Sequence, residues 1–342
     1  MNQVTPRISF IAKENIPAWF RALRRAHDRV LAPVRKAGVV EFAAVDELEQ
    51  VATDYVQTTR SAKEALFPRT EALFSYRKQG RDVQVQDFDP ETVPTTLLWQ
   101  VRPCDAASVF SLDAVFDWDY RDVLYDARRA RTAIVAVACA QADDCCFCTS
   151  VGGGPGSTAG SDVLLTMTGR GAIAEVSTEK GEALLALSPE LFTELPAGET
   201  KAEHLADVPQ VFDVERLKEK MKGMFDSPVW KQQSERCLGC GACAYVCPTC
   251  SCFDIQDCDR SGGGMRLRCW DSCGLALFTL HTSGHNPRPT QASRWRQRIM
   301  HKFSYIPQRQ NALGCTGCGR CSRACPVDMN LKEHLVSISS EK

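Results

Sequence analysis

The chain has 342 residues, 44% hydrophobic and 24% charged, an ordinary globular composition with length enough for two domains and two cores. A formal net charge of −1 gives no global attraction to nucleic acid or anionic membranes. The longest clean apolar run, "AIVAVACA" at 133–140, is far too short to span a bilayer, and "MNQVTPRISFIAKENIP" lacks the basic start and long apolar stretch of a secretory leader, so the expected location is the cytoplasm.

In chain order, "ENIPAWFRALRRAHDRV" predicts a helix with Trp19, Leu23 and His27 on one face, His27 reading as structural. "SAKEALFPRTEALF" (61–74) starts as a short helix that breaks before Pro68. "TTLLWQV" (95–101) and "RTAIVAVAC" (131–139) have the length and apolarity of buried strands, with the helical patterns "DAASVFSLDAVF" and "DYRDVLYDARRA" between them. Strand, helix, strand is the order of a parallel unit. "DVLLTMT" (162–168) and "GAIAEVS" (171–177) add two further strands, and residues 1–225 are expected to form an α/β domain. "SVGGGPGSTAGSD" (150–162) lacks the G-K-[ST] ending and precedes a strand; it reads as a flexible turn rather than a phosphate loop.

Cysteine dominates the rest. There are 18, none before Cys104, and 13 lie between Cys237 and Cys325. In a reducing compartment such density points to metal or redox chemistry rather than a disulfide framework. "CLGCGACAYVCP" (237–248) and "CTGCGRCSRACP" (315–326) both read C-x2-C-x2-C-x3-C-P, the bacterial run for [4Fe–4S] clusters. The three close cysteines, separated by small residues, let the backbone curl around three corners of a cube. The fourth sits about one helical turn further on and ligates the other cluster. One cluster is therefore expected on Cys237, Cys240, Cys243 and Cys325, and the other on Cys315, Cys318, Cys321 and Cys247. Zinc sites use paired C-x2-C knuckles and fit two four-thiol runs poorly.

Sixty-seven residues, 248 to 314, separate the runs, more than a compact ferredoxin needs. Within them "RPTQASRWRQRIMHKFSYI" predicts an amphipathic helix striped by Trp295, Ile299 and Phe303, and "DSCGLALFTL" (271–280) a second helical piece. Arg294, Arg296, Arg298 and Lys302 occupy the other faces of the first. They either form a solvated surface or offset the charge of anionic clusters or dock an acidic partner. "HTSGH" (281–285) reads as a loop because of Gly284 and the following "NPRP". Residues 226–342 are expected as an alpha-helical ferredoxin-like dicluster domain, giving an α+β protein overall.

Cys104 and Cys139 fall at or just beyond the carboxyl ends of two expected parallel strands, the rim where open sheets gather ligands. "CCFC" (145–148) leaves the second strand and can fold over that rim. Cys104, Cys139, Cys146 and Cys148 are candidate ligands for a third [4Fe–4S] cluster, the alternative being inert buried thiols. Cys145, Cys250, Cys252, Cys258, Cys269 and Cys273 remain, for a further cluster, a labile metal, or packing.

"VRPCDAASVFSLDAVF", "CFCTSVGGGP", "CPTCSCFDIQD", "WDSC" and the "RIMHKF" helix before the second run resemble, in that order, the beta subunit of soluble [NiFe] hydrogenase/sulfur reductase complexes; the similar iron–sulfur subunit of anaerobic sulfite reductase shares the carboxyl-terminal pattern. The resemblance covers roughly residues 60–335. It implies cluster ligation at the eight run cysteines and makes Cys104, Cys146 and Cys148 part of a recurring pattern. It further implies an electron-relay subunit between a flavin subunit fed by NAD(P)H and a separate catalytic, metal-containing subunit. A catalytic disulfide-reducing role resembling heterodisulfide reductase, at Cys145/Cys146, is the alternative; those proteins repeat C-C-G, whereas this chain has C-C-F once. No flavin or nicotinamide fingerprint and no paired-carboxylate or Ser/His/Asp constellation appears.

Overall fold

The computed structural model describes residues 7–340, so the first residues of the amino-terminal stretch read above lie outside the described residues. The strands are β1 (Arg7–Ala12), β2 (Arg29–Lys36), β3 (Val39–Ala44), β4 (Thr70–Gln79), β5 (Asp82–Asp87), β6 (Thr96–Val101), β7 (Thr132–Val137), β8 (Val163–Met167), β9 (Gly171–Val176), β10 (Phe192–Thr193), β11 (Phe253–Arg260) and β12 (Gly263–Trp270). Eight of them form one sheet in the order β10-β1-β9-β8-β7-β6-β2-β3.

Its centre follows from the apolar runs. β6 and β7, buried at every position, pair in parallel with each other, as do β7 with β8 and β2 with β6. The Ser108–Phe116 and Val123–Ala130 helices form the crossover from β6 to β7, which parallel pairing requires. β8 and β9 are antiparallel, as are β1 with β9 and β2 with β3, so the sheet is mixed rather than wholly parallel. Helices cover both faces. On one, Trp19, Phe20 and Leu23 of the Ile16–Ala26 helix are buried, with Trp19 edge-on to Trp99 at 5.5 Å. On the other, Phe67, Leu112, Phe116 and Tyr125 pack together. His27 caps the first helix, its Nδ1 2.8 Å from the Leu23 carbonyl, a structural role.

The carboxyl-terminal segment has its own helical core of Leu217, Met221, Trp230, Trp295, Ile299, Phe303 and Leu335. The Gln291–Met300 helix forms as expected, started by a Thr290/Ser293 capping box, and runs on through a π turn at His301–Tyr305 into Ile306–Gln310. Two expectations fail in the inserted segment. "DSCGLALFTL" is a series of turns, not a helix. Gly274 lies early in it, and Leu277 and Leu280 are exposed, so no apolar face is buried to sustain a helix. And the runs are bridged by the β11–β12 hairpin as well as by a helix. The order of the second sheet is β11-β12-β4-β5, so the insert pairs with an amino-terminal strand.

A buried ion pair ties the second cysteine run to the large sheet. Arg320 and Asp105 side chains are 1% and 2% exposed, with Arg320 Nη2 2.5 Å from Asp105 Oδ2. Arg320 also donates to Gln57 Oε1 and to the Thr58 carbonyl and hydroxyl. Removing one partner leaves an uncompensated buried charge. Asp105→Asn is expected to cost about 3–5 kcal/mol, read as a fall in the denaturant midpoint, with much of the loss recovered in the Asp105→Leu/Arg320→Met double variant.

Candidate metal centres

In the first run, Gly239 and Gly241 adopt φ of +69° and +76°, turning the backbone in a way L side chains resist. The result brings Cys237, Cys240 and Cys243 onto one cavity of about 40 Å³, with Cys325 from the second run on its wall. Trp295, Met329 and Leu331 line the remainder, so the space is mainly apolar and sulfur-faced. Two N–H groups already point at its sulfurs: Gln291 Nε2 donates to Cys237 Sγ at 3.0 Å and the Met329 amide to Cys325 Sγ at 3.2 Å. Cys240 is the exposed member.

Around the second run the thiols are enclosed. Burial pushes Cys315 up to about 12 and Cys318 up to about 11, and Cys321 upward as well; the negative charge of Cys247 adds to each. The four sulfurs expected to share a cluster thus sit within one another's field. Cys247 itself is held well below the usual thiol range, first by a hydrogen bond with Cys250, then by the Lys302 and Arg298 charges. Cys321 belongs to both neighbourhoods: it lines the first cavity and lies in the fields of Cys247 and Cys243.

A third group assembles where the sheet rim predicts. β6 carries a bulge at Gln100, a left-handed non-glycine residue at φ +56°, and such bulges re-aim a strand end. Cys104 follows in the next turn and Cys139 just past β7. Burial pushes Cys104 well up, Cys139 up to about 12 and Cys148 up to about 11. Cys139 lies in the fields of Cys146 and Cys148 and acts on Cys104, while Cys318 acts on both Cys104 and Cys148. Cys104 and Cys139, and Cys139 with Cys146 and Cys148, thus lie within one another's field on the rim next to the second run. Gln57 Nε2 donates to Cys104 Sγ at 3.0 Å and Arg323 Nη2 to Cys146 Sγ at 3.2 Å.

Residues 236–329 match the family described as 4Fe-4S dicluster domain. Over 323 residues the chain is 31% identical to sulfhydrogenase 2 subunit beta of Pyrococcus furiosus, covering 92% of this chain and 93% of that protein. It belongs to the sulfhydrogenase beta-subunit family. No solved structure matches it.

The donor set of this beta-subunit chain suits iron–sulfur groups. Among the described residues, no three or more His, Cys, Asp or Glu are gathered around one metal-ion position. The cationic helix divides between its two readings. Arg294 and Arg296 are half-buried at the surface, but Arg298 and Lys302 are each 4% exposed and face sulfur. Lys302 Nζ donates to Cys247 Sγ at 3.3 Å and to the Gly314 carbonyl at 2.7 Å; Arg298 donates to Cys250 Sγ at 3.6 Å and the Cys243 carbonyl at 2.8 Å. Burial works against both charges, and the surrounding cysteines outweigh it, holding both pKa values above their ordinary range. Gln57, Lys63, Gln291 and Arg320 were not singled out from sequence. The first three each reach a cysteine from far along the chain, Arg320 reaches from the second run back to Asp105, and no local pattern marks any of them. Cys258 is exposed on β11 and Cys269 half-buried on β12.

The close approach of the "CCFC" loop to the second run is tested at Gly317, one of two second-run glycines packed against that loop. A Cβ on Gly317, at φ +64°, would lie 2.6 Å from Cys148 Cα, whereas Gly152, at φ +79°, has nothing within 4 Å. Gly152→Ala is expected to cost about 1 kcal/mol through backbone strain alone. Gly317→Ala should cost about 2–4 kcal/mol, measured by denaturation of both variants side by side; equal losses would contradict the packing described.

Proposed function

We propose that the chain is the iron–sulfur electron-transfer subunit of a cytoplasmic multi-subunit oxidoreductase. It relays electrons between a flavin subunit linked to NAD(P)H and a catalytic metal-containing subunit of the hydrogenase, sulfur reductase or sulfite reductase type. The observation that carries this reading is the convergence of Cys237, Cys240, Cys243 and Cys325, from both runs, on a single cavity. Family membership supports it. So does the lack, among the described residues, of any helix long and apolar enough to cross a membrane.

In this reading Cys237, Cys240, Cys243 and Cys325 hold one [4Fe–4S] cluster, Cys315, Cys318, Cys321 and Cys247 a second, and Cys104, Cys139, Cys146 and Cys148 a third. Bound clusters supply one-electron transfer at potentials set by charge, hydrogen bonds to sulfur, and burial. The protein supplies those three settings. Cys321 abuts the first group and Cys318 the third, so the groups run in a line with the second in the middle. The exposed Cys240 marks one end, and the half-buried Cys145–Cys146 pair marks the other.

Crossed ligation has a direct test. In anaerobically prepared protein, Cys325→Ser is expected to abolish the same EPR signal as Cys240→Ser, and Cys247→Ser the same signal as Cys318→Ser; the reverse pairing would contradict the assignment. Iron and acid-labile sulfide should fall together in each variant. Lys302→Met removes a buried positive charge from Cys247 and is expected to lower the potential of the second cluster by about 60 mV, a tenfold change for a one-electron couple. Redox-titrated EPR measures the shift, with cluster content unchanged.

A further inference from the structure

Cys250, Cys252 and Cys273 have no place in the three groups. They line one cavity with His301, Arg298 and Lys302. Cys250 and Cys252 come from the stretch just after the first run, Cys273 from the turns after β12, and His301 opens the π turn. Single π turns within α-helices are frequent at functional sites.

The charge around this cavity is unbalanced by protein carboxylates. Lys63, Arg298 and Lys302 are each 4% exposed. Among the described residues, their hydrogen bonds go to sulfur, hydroxyl and carbonyl groups and none to a carboxylate. A buried cation without an anion is costly, and sulfur is the group placed to supply the counter-charge. Run cysteines serve Arg298 and Lys302 through Cys243 and Cys247. Lys63 lies further out: its Nζ donates to the Cys250 carbonyl at 2.7 Å and sits 4.0 Å from the Trp270 ring centroid. Burial lowers the Lys63 pKa, and Cys250, Cys247 and Cys252 are the sulfurs whose field opposes that loss of charge; two of those three are outside the runs. Metal-bound thiolates would supply negative charge at those sulfurs permanently.

We propose that Cys250, Cys252 and Cys273 hold a fourth [4Fe–4S] cluster, with the His301 imidazole as the donor available to its remaining iron. This rests on the reading that the two runs themselves bind clusters. The site adjoins both proposed run clusters, since Cys250 is in contact with Cys247, assigned to the second, and the charge on Cys273 reaches Cys243, assigned to the first. It therefore lies beside the line of three rather than at its end. Histidine in place of thiolate removes negative charge and raises a cluster's potential, which suits a side branch that accepts electrons from either neighbour.

The test uses anaerobically prepared complex containing the full chain, with native mass spectrometry of the released subunit and iron and sulfide assays. Cys252→Ser/Cys273→Ser is expected to lose one cubane of mass, with its iron and sulfide, while the EPR signals of the run clusters persist. Cys258→Ser, at an exposed thiol, should lose none. Retention of wild-type iron and sulfide in the double variant would overturn the proposal, as would a Cys252–Cys273 disulfide found by peptide mapping of the wild type. Should the double variant not fold, the wild-type mass decides: no cubane beyond those of the three groups overturns the fourth site alone. A wild type with no cubane overturns the underlying relay reading with it.

Discussion

Buried positive charge set against sulfur is the constraint on which this structure depends. Arg298, Lys302 and Arg320 are all nearly inaccessible, and each costs several kcal/mol to bury unless compensated. Arg320 is matched by Asp105. Arg298 and Lys302 have cysteine sulfur within reach instead. Those cations favour the charged form of the sulfurs they face, as at Cys247, whose pKa a hydrogen bond with Cys250 and then both cations lower, and thiolate is the form that binds a metal. The same cations hold the run backbones in place through the Gly314 and Cys243 carbonyls, so charge balance and loop geometry are one feature.

The large sheet serves this centre by position. Its parallel strands β6 and β7 end on a common rim, and Cys104 and Cys139 leave that rim toward the second run. The "CCFC" loop closes the gap: the Phe147 amide donates to the Gly317 carbonyl at 2.9 Å, and Gly317 has no side chain to keep it away. The hairpin β11–β12, by pairing with β4, joins the inserted segment to the amino-terminal part of the chain. The buried Arg268–Glu71 pair, at 2.5 Å, reinforces that joint.

What was legible in the sequence divides by the range of the signal. The run spacing, the apolar strands β6 to β9, the two crossover helices and the Trp295/Ile299/Phe303 stripe are local patterns, and the structure shows each of those elements. Cys104 and Cys139 could be placed on one rim because strand ends in a parallel unit lie together. By contrast, β4, β5 and β11 are polar and largely exposed, so no apolar run announces them, and the short alternation in "DVQVQD" and "FDIQDC" leaves its apolar residues in the open. β2 contains Pro33, which argues against an interior strand; its pairing with β6 ends at Leu31, before the missing N–H matters. The inward aim of Arg298 and Lys302 was undecidable from a helical wheel alone, because what lies opposite them comes from residues 243–250 and 314. "DSCGLALFTL" misled because its apolar residues suggested a buried face that the fold never provides.

The central claim is that two four-thiol sites, drawn from both runs, lie close enough together to share Cys321's neighbourhood. EPR of the fully reduced protein tests it most directly. Two cubanes at that proximity are expected to give a broadened, spin-coupled spectrum that resolves into a single simple signal when only one is reduced. A fully reduced sample showing uncoupled, additive signals, or zinc with no inorganic sulfide, would contradict the account.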